Sequence, residues 1–184
     1  MTATTIRQDE NLPEAYPDAP DTLTAAAAAL DPDFIWQRIE SYIAHRWTAR
    51  AVGWKVEGSG EWEPPLTPAT IVSTMYWRGD DWDEATLSPG PFGGLILPGC
   101  GPYSIVATVG DTENDPPAAV LEAFRRLAEY MAAKAGKPGA RSERIQAGSI
   151  SLSHTRDEAW MARAIQNSGA ADLLRPYRRV QWAS

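Results

Sequence analysis

The sequence predicts an α+β fold: mainly a helical bundle, with a small antiparallel β-sheet inserted after the first long helix, an extended N-terminal arm and a C-terminal tail. Three observations support it. Apolar residues recur at helical spacing in one stretch before and one stretch after the middle of the chain. Between them, short runs of β-branched and aromatic residues alternate with Gly- and Pro-rich turns. The N-terminal segment holds prolines and acids but few apolar side chains.

Residues 1–30 are predicted to form a flexible N-terminal arm. Pro13, Pro17 and Pro20 lie among acidic residues, and such a segment buries too little apolar surface to hold one conformation. Residues 24–30 are alanine-rich, with high helix propensity but little side-chain area to pack. Both a short helix and a linker therefore stay open for this stretch.

Residues 31–174 are predicted to form one domain, which begins with a helix at about 31–48. Asp31 is a favourable N-cap and Pro32 fits the first helical position, where a missing N–H does no harm. The next apolar residues make a single stripe on a helix, and they are Ile35, Ile39, Tyr42, Ile43 and Trp47.

The predicted sheet follows this helix, and the second half of the domain is predicted to be helical. The strands are a short antiparallel meander at 51–57, 70–77, 94–97 and 103–109. A second long helix is capped by Asp115 and runs to about Lys134. Beyond it the pattern predicts a polar stretch at 137–153, a helix at 157–168, a turn at 170–174 and a C-terminal tail at 175–184.

Composition and charge exclude several classes of protein. The 184 residues carry a formal charge of −7, which argues against a protein whose whole surface binds nucleic acid or anionic lipid. The one cysteine, Cys100, excludes a disulfide framework and a thiolate metal cluster, and it favours a reducing compartment. The sequence shows no secretory signal pattern and no bilayer-length apolar run, so we expect no membrane association.

Few residues suggest catalysis. His45 and His154 have no second metal-type residue at diagnostic spacing, so we expect no metal site. Cys100 or Ser151 with His154 would make a nucleophile and base, but closeness in sequence sets no geometry. The glycine-rich segments 90–94 and 99–101 lack the lysine of a phosphate loop and are interpreted as turns. No catalytic residue, cofactor or metal is therefore assigned.

An acidic cluster lies in the middle of the chain. Its carboxylates would suit a hard cation, but the cluster lacks the glycine and the terminal glutamate of an EF-hand loop, which favours a solvated hairpin tip. The four acids are Asp80, Asp81, Asp83 and Glu84. The tryptophans near the predicted strands, with no basic residues interleaved, favour core or subunit packing over stacking on bases.

The order of several motifs resembles the head-tail connector (adaptor) proteins of tailed bacteriophages and gene transfer agents. Pro116–Tyr130 is similar to the family's helix that starts at prolines after the sheet. Arg141–Ile145 followed by Gly148–Leu152 is similar to its "SESxxxGxxSxxY" stretch. Asp172–Arg179 (DLLRPYRR) is similar to its C-terminal "LLxPYRR" ending. Earlier in the chain, 39–50 and 101–110 also resemble the family.

The resemblance implies a structural virion protein without catalysis or cofactor. Such an adaptor forms a homo-oligomeric ring, typically dodecameric, beneath the portal protein, and it links the DNA-filled capsid to the tail. The implied location is the virion neck, after assembly in the host cytoplasm, and a stopper or tail-completion protein is a further implied partner. DNA would pass through the channel without specific binding.

Two surfaces are predicted for this role. The C-terminal segment combines apolar anchors with arginines, the residue types of interface hot spots, and is predicted to bind the portal. Its residues are Leu173, Leu174, Arg175, Pro176, Tyr177, Arg178 and Arg179. The alternative is that Leu173, Leu174 and Tyr177 pack back on the helices of their own chain. The acids Asp80, Asp81, Asp83 and Glu84 are predicted to lie on a loop or to line the lumen, where negative charge repels DNA.

Two alternatives remain open at this point. One is a tail-completion or stopper protein, which also forms a ring but binds the adaptor rather than the portal. The other is a small cytosolic hydrolase that uses Cys100 or Ser151 with His154.

Overall fold

The computed structural model describes residues 2–111, 115–133, 142–147, 150–155 and 161–178, with the backbone alone for 142–147 and 150–155. The chain forms two compact units, each assembled from separate stretches of sequence. A β unit contains Met1–Pro17 and Ala44–Asp115, and a helical unit contains Asp18–Ile43 and Pro116–Arg178. Within the described ranges, no helix is long and apolar enough to cross a lipid bilayer.

The β unit is built on eight strands. In chain order they are β1 (Thr4–Glu10), β2 (Arg50–Glu57), β3 (Gly60–Trp62), β4 (Ala69–Trp77), β5 (Trp82–Glu84), β6 (Ser88–Pro89), β7 (Leu95–Leu97) and β8 (Tyr103–Val109). A five-stranded sheet has the order β1-β2-β8-β4-β5, and a three-stranded sheet has the order β3-β7-β6. Every pairing between neighbouring strands is antiparallel.

The core of the β unit lies on one face of the larger sheet. Strands β2 and β8 alternate buried and more exposed residues, as a sheet with one solvated face requires. Trp54 on β2 and Trp62 on β3 pack edge to face, with ring centroids 5.4 Å apart. The other buried members of this cluster are Val52, Val56, Leu66, Leu95, Leu97, Tyr103, Ile105, Ala107 and Val109.

The helical unit packs short helices around one longer helix. Its helices are α1 (Ala25–Ala28), α2 (Pro32–Glu40), α3 (Ala118–Ala132), α4 (Ala164–Asn167) and α5 (Ala170–Leu173), and a 3-10 turn follows at Arg175–Tyr177. Two further strands, β9 (Ser142–Ala147) and β10 (Ile150–Thr155), pair antiparallel. Trp36 on α2 packs on Phe124 on α3 with ring centroids 5.1 Å apart, and both are buried.

The prediction of a mainly helical bundle is wrong, because the described part of the chain contains more strand than helix and α3 is its one helix longer than nine residues. Much of the error lies in the first helix, which was predicted at 31–48 but ends at Glu40. After it, Thr67 donates its N–H to the Ala44 carbonyl (3.0 Å) and accepts one from Arg46 (2.8 Å). Backbone pairing with a distant segment thus replaces the helical bonds. Ile43 and Trp47 are still buried, but from irregular backbone.

The N-terminus and the sheet order also differ from the predictions. Residues 4–10, which were assigned to the extended arm, form the edge strand β1 on β2. The sheet is not a meander, because β8 lies between β2 and β4. The positions of β2, β4, β7 and β8 were predicted closely. Of the two possibilities for the alanine-rich stretch, the short helix is observed, as α1.

The helices of the second half are shorter than predicted. The helix after the sheet runs over Ala118–Ala132, with Pro117 rather than Asp115 at its N-cap. The helix predicted at 157–168 is observed as Ala164–Asn167, and 156–160 lie outside the described residues.

Candidate interaction surfaces

The C-terminal segment has one buried anchor and an exposed basic side. Leu174 is fully buried within the helical unit, whereas Leu173 and Tyr177 are half-buried. The side chains of Arg175, Pro176 and Arg178 are exposed. The Tyr177 N–H donates to the Leu174 carbonyl (3.1 Å), which closes the 3-10 turn and holds this arrangement.

Arg178 is positioned by an aromatic ring of its own unit. Its guanidinium carbon lies 4.7 Å from the centroid of the Tyr42 ring, and its Nη1 donates to Tyr42 Oη (3.3 Å). A cation stacked on an aromatic face loses less conformational freedom when it binds an anion than a freely rotating side chain does. The remaining predicted member of this segment, Arg179, lies outside the described residues.

The acidic cluster lies on the hairpin that joins β4 to β5. Trp77 and Trp82 face each other across it, and the Arg78 N–H donates to the Asp81 carbonyl (3.0 Å) to close the turn. Asp83 forms an ion pair with Arg78 at 2.5 Å. The side chains of all four acids, Asp80, Asp81, Asp83 and Glu84, are exposed.

Of the residues considered for catalysis, the structure describes the side chains of Cys100 and His45. Cys100 is an exposed free thiol in the turn before β8. His45 is half-buried against Trp47, with ring centroids 4.6 Å apart; burial and the nearby Arg46 lower its pKa, against a smaller opposing effect of Asp111. The side chains of Ser151 and His154 lie outside the described residues. Among the described side chains, no three His, Cys, Asp or Glu residues are grouped as metal ligands.

One exposed aromatic residue was missed by the sequence reasoning. Phe92 lies in the Gly90–Gly94 turn, and its side chain is 77% exposed. The sequence interpretation treated this segment as a turn and assigned no role to the ring between the glycines. A large apolar side chain inside a glycine-rich turn has few neighbours to cover it, and that was the available signal.

The comparisons with known proteins give no sequence-level relative but do give structural likenesses. No protein-family model matches the chain, and no curated protein matches its sequence. The fold is similar to a chain in the "Neck of native GTA particle computed with C12 symmetry", with 16% identity, a TM-score of 0.49, and coverage of 89% of this chain and 87% of that chain.

The second likeness is to a chain in the "Virion of native gene transfer agent (GTA) particle". Identity is 13% and the TM-score is 0.43, over 100% of this chain and 98% of that chain. Both structures are gene transfer agent assemblies.

Proposed function

We propose that the chain is a structural subunit of the neck of a phage-like particle: a head-tail connector that forms a ring beneath the portal and links the DNA-filled capsid to the tail. The order of the sequence motifs, from the proline-led helix to the DLLRPYRR ending, supports this proposal. The observation that carries it is the C-terminal segment, where an apolar anchor holds exposed arginines in place.

The portal-binding surface in this proposal is the exposed side of that segment. Arg175 and Arg178 present guanidinium groups, which form bidentate hydrogen bonds with carboxylates. Leu174 is buried in the helical unit, and its burial fixes the turn that carries both arginines. Leu173 and Tyr177 are half-buried and add apolar area beside them.

The test is portal binding by a variant that keeps the anchor and removes the charges. We expect Arg175→Ala with Arg178→Ala to bind the portal oligomer from the same genome at least about tenfold more weakly in sedimentation velocity, since buried interface arginines are frequent hot spots. Arg125→Ala with Arg126→Ala is the matched control, because it removes the same charge from the same unit.

Two outcomes would overturn the portal assignment. One is an equal loss of portal affinity in both double variants, which would mean that binding depends on net charge and not on the C-terminal segment. The other is wild-type chain that ignores the portal but binds a portal–adaptor complex, which would place the chain one ring lower as a stopper or tail-completion protein. Circular dichroism of each variant confirms that loss of binding is not loss of folding.

In the same ring, we assign the acidic hairpin to the channel wall. Asp80 and Asp81 are exposed in the turn beyond the Trp77–Trp82 pair, and Glu84 is exposed on β5. Negative charge there would repel the phosphate backbone and let DNA pass without adhering. A reconstruction of the ring with these acids on its outer wall would contradict this assignment.

A further inference from the structure

The helical unit contains an apolar cavity of about 210 Å³ that nothing in the proposed function uses. Its lining is apolar except for Asp21 and consists of Ala19, Pro20, Asp21, Leu23, Ala27, Ala28, Leu30, Pro32, Ile35 and Phe124. A cavity of about 150 Å³ with aliphatic and aromatic walls takes up benzene. This cavity is therefore large enough for one phenyl ring.

The β unit carries an exposed phenyl ring, that of Phe92. The Gly90–Gly94 turn is closed by a hydrogen bond from the Gly90 N–H to the Gly94 carbonyl (2.7 Å), and the Phe92 N–H donates to Glu61 Oε1 (3.1 Å). Gly93 has φ +90°, a conformation that favours glycine. The backbone beneath Phe92 is thus fixed while its ring is 77% exposed. A fixed aromatic anchor loses little entropy on binding.

We propose that Phe92 of one copy inserts into the cavity of a second copy. The charged groups at this contact are Asp21 among the lining residues and Glu61, whose carboxylate accepts the Phe92 N–H. Inserting one ring would bury about 150–250 Å², well below the 1,200–2,000 Å² of a stable interface, so Phe92 is the anchor of a larger contact.

The occupant is a second copy because Phe92 is exposed on the β unit and the cavity belongs to the helical unit, so each chain carries both halves of the contact. A contact that joins two different surfaces of identical copies is heterologous, and it closes into a ring when the rotation between copies permits. The ring itself rests on the proposed function. The contact between Phe92 and the cavity is testable without the portal.

The test is cross-linking between two differently labelled copies. The exposed Cys100 is first replaced in both (Cys100→Ser). One copy then carries Pro91→Cys, beside the intact Phe92, and the other carries Ala28→Cys in the cavity wall. We expect a short bismaleimide to join the two full-length chains, and we expect Phe92→Ala in the first copy to weaken the association about thirtyfold.

Two controls separate this contact from random encounter. Ala26→Cys is exposed on the same helix α1 but does not line the cavity, since two residues correspond to about 200° around a helix. Leu12→Ala removes another strongly exposed apolar side chain (75%) and should leave the cross-link unchanged. Equal cross-linking at positions 26 and 28, or cross-linking that does not depend on Phe92, would overturn the proposal.

The mixtures are examined alone and with the portal oligomer, because the copies could associate only when bound to the portal. No cross-link in either mixture overturns the proposal, and so does a cross-link from position 91 to the portal. In both cases, portal binding by the wild-type chain, measured separately, would leave the proposed function standing. A specific cross-link without portal binding would support the contact between Phe92 and the cavity and would contradict the proposed function.

Discussion

At the residue scale, two indole N–H groups show why the N-terminal strand belongs to the fold. Trp54 Nε1 donates to Gln8 Oε1 (2.8 Å), and Trp62 Nε1 donates to Thr5 Oγ1 (2.9 Å). Both tryptophans are buried in the β unit, so each indole N–H needs a hydrogen-bond acceptor. Strand β1 supplies both acceptors. Polar residues of an exposed strand thus complete an apolar core.

We expect Gln8→Ala to destabilise the β unit by about 1–3 kcal/mol, because it leaves the Trp54 N–H without this acceptor. Urea unfolding followed by tryptophan fluorescence measures the variant beside the wild type. Identical midpoints for Gln8→Ala and wild type would show that the hydrogen bond contributes nothing.

At the element scale, a carboxylate on α3 holds the start of α1. Glu129 accepts the backbone N–H of Thr24 (2.8 Å) and its hydroxyl (2.7 Å), and Thr24 is the N-cap of α1. Both bonds favour the ionised carboxylate, so they lower the pKa of Glu129. A short alanine helix with marginal stability is therefore fastened through its cap.

The lowered pKa of Glu129 predicts a pH dependence with a definite sign. The folded chain favours the ionised form, so its contribution is present above the unfolded pKa of about 4.5 and is lost as pH falls through the lower folded value. We expect Glu129→Gln to unfold at a lower temperature than wild type at pH 7, and the gap to narrow toward pH 3. The effect should be small because the carboxylate is solvent-exposed.

Glu122→Gln is the matched control for that experiment. Arg125 and Arg126 lower the pKa of Glu122 to about 2 through hydrogen bonds within the same helix, so its effect concerns α3 and not the attachment of α1. Hydrogen exchange at the amides of α1 should respond to Glu129→Gln and not to Glu122→Gln. Equal responses would mean that Glu129 does not fasten α1.

The elements also show which parts of the fold are readable from sequence. Strands β2, β4 and β8 carry β-branched and aromatic runs, so their positions could be predicted. Strand β1 (TTIRQDE) has no apolar alternation because most of its side chains face solvent. The stripe from Ile35 to Trp47 has helical spacing, but long-range pairing at Thr67 decides its backbone after Ser41.

The candidate surfaces were readable only in part. The sequence identifies the basic DLLRPYRR ending and the acidic hairpin, because both are runs of charge. It does not show that Leu174 is buried while Arg175 is exposed, since that depends on packing within the helical unit. Nor does it show the cavity lined by Ala28 and Phe124, which are 96 residues apart in the chain (124 − 28).

At the scale of the whole molecule, the chain is two units whose strands and helices come from separated segments. The order β1-β2-β8-β4-β5 pairs strands that are distant in sequence, and such topology is set by the complete core and not by local pattern. In the proposed connector, the helical unit offers the arginine surface and the cavity, and the β unit offers the acidic hairpin and Phe92.

The most direct test of the connector proposal is native mass spectrometry of the full chain, alone and mixed with the portal oligomer encoded in the same genome. The account predicts one defined complex in which a complete ring of the chain is bound to the portal. A chain that stays monomeric at all concentrations and leaves the mass of the portal unchanged would contradict it.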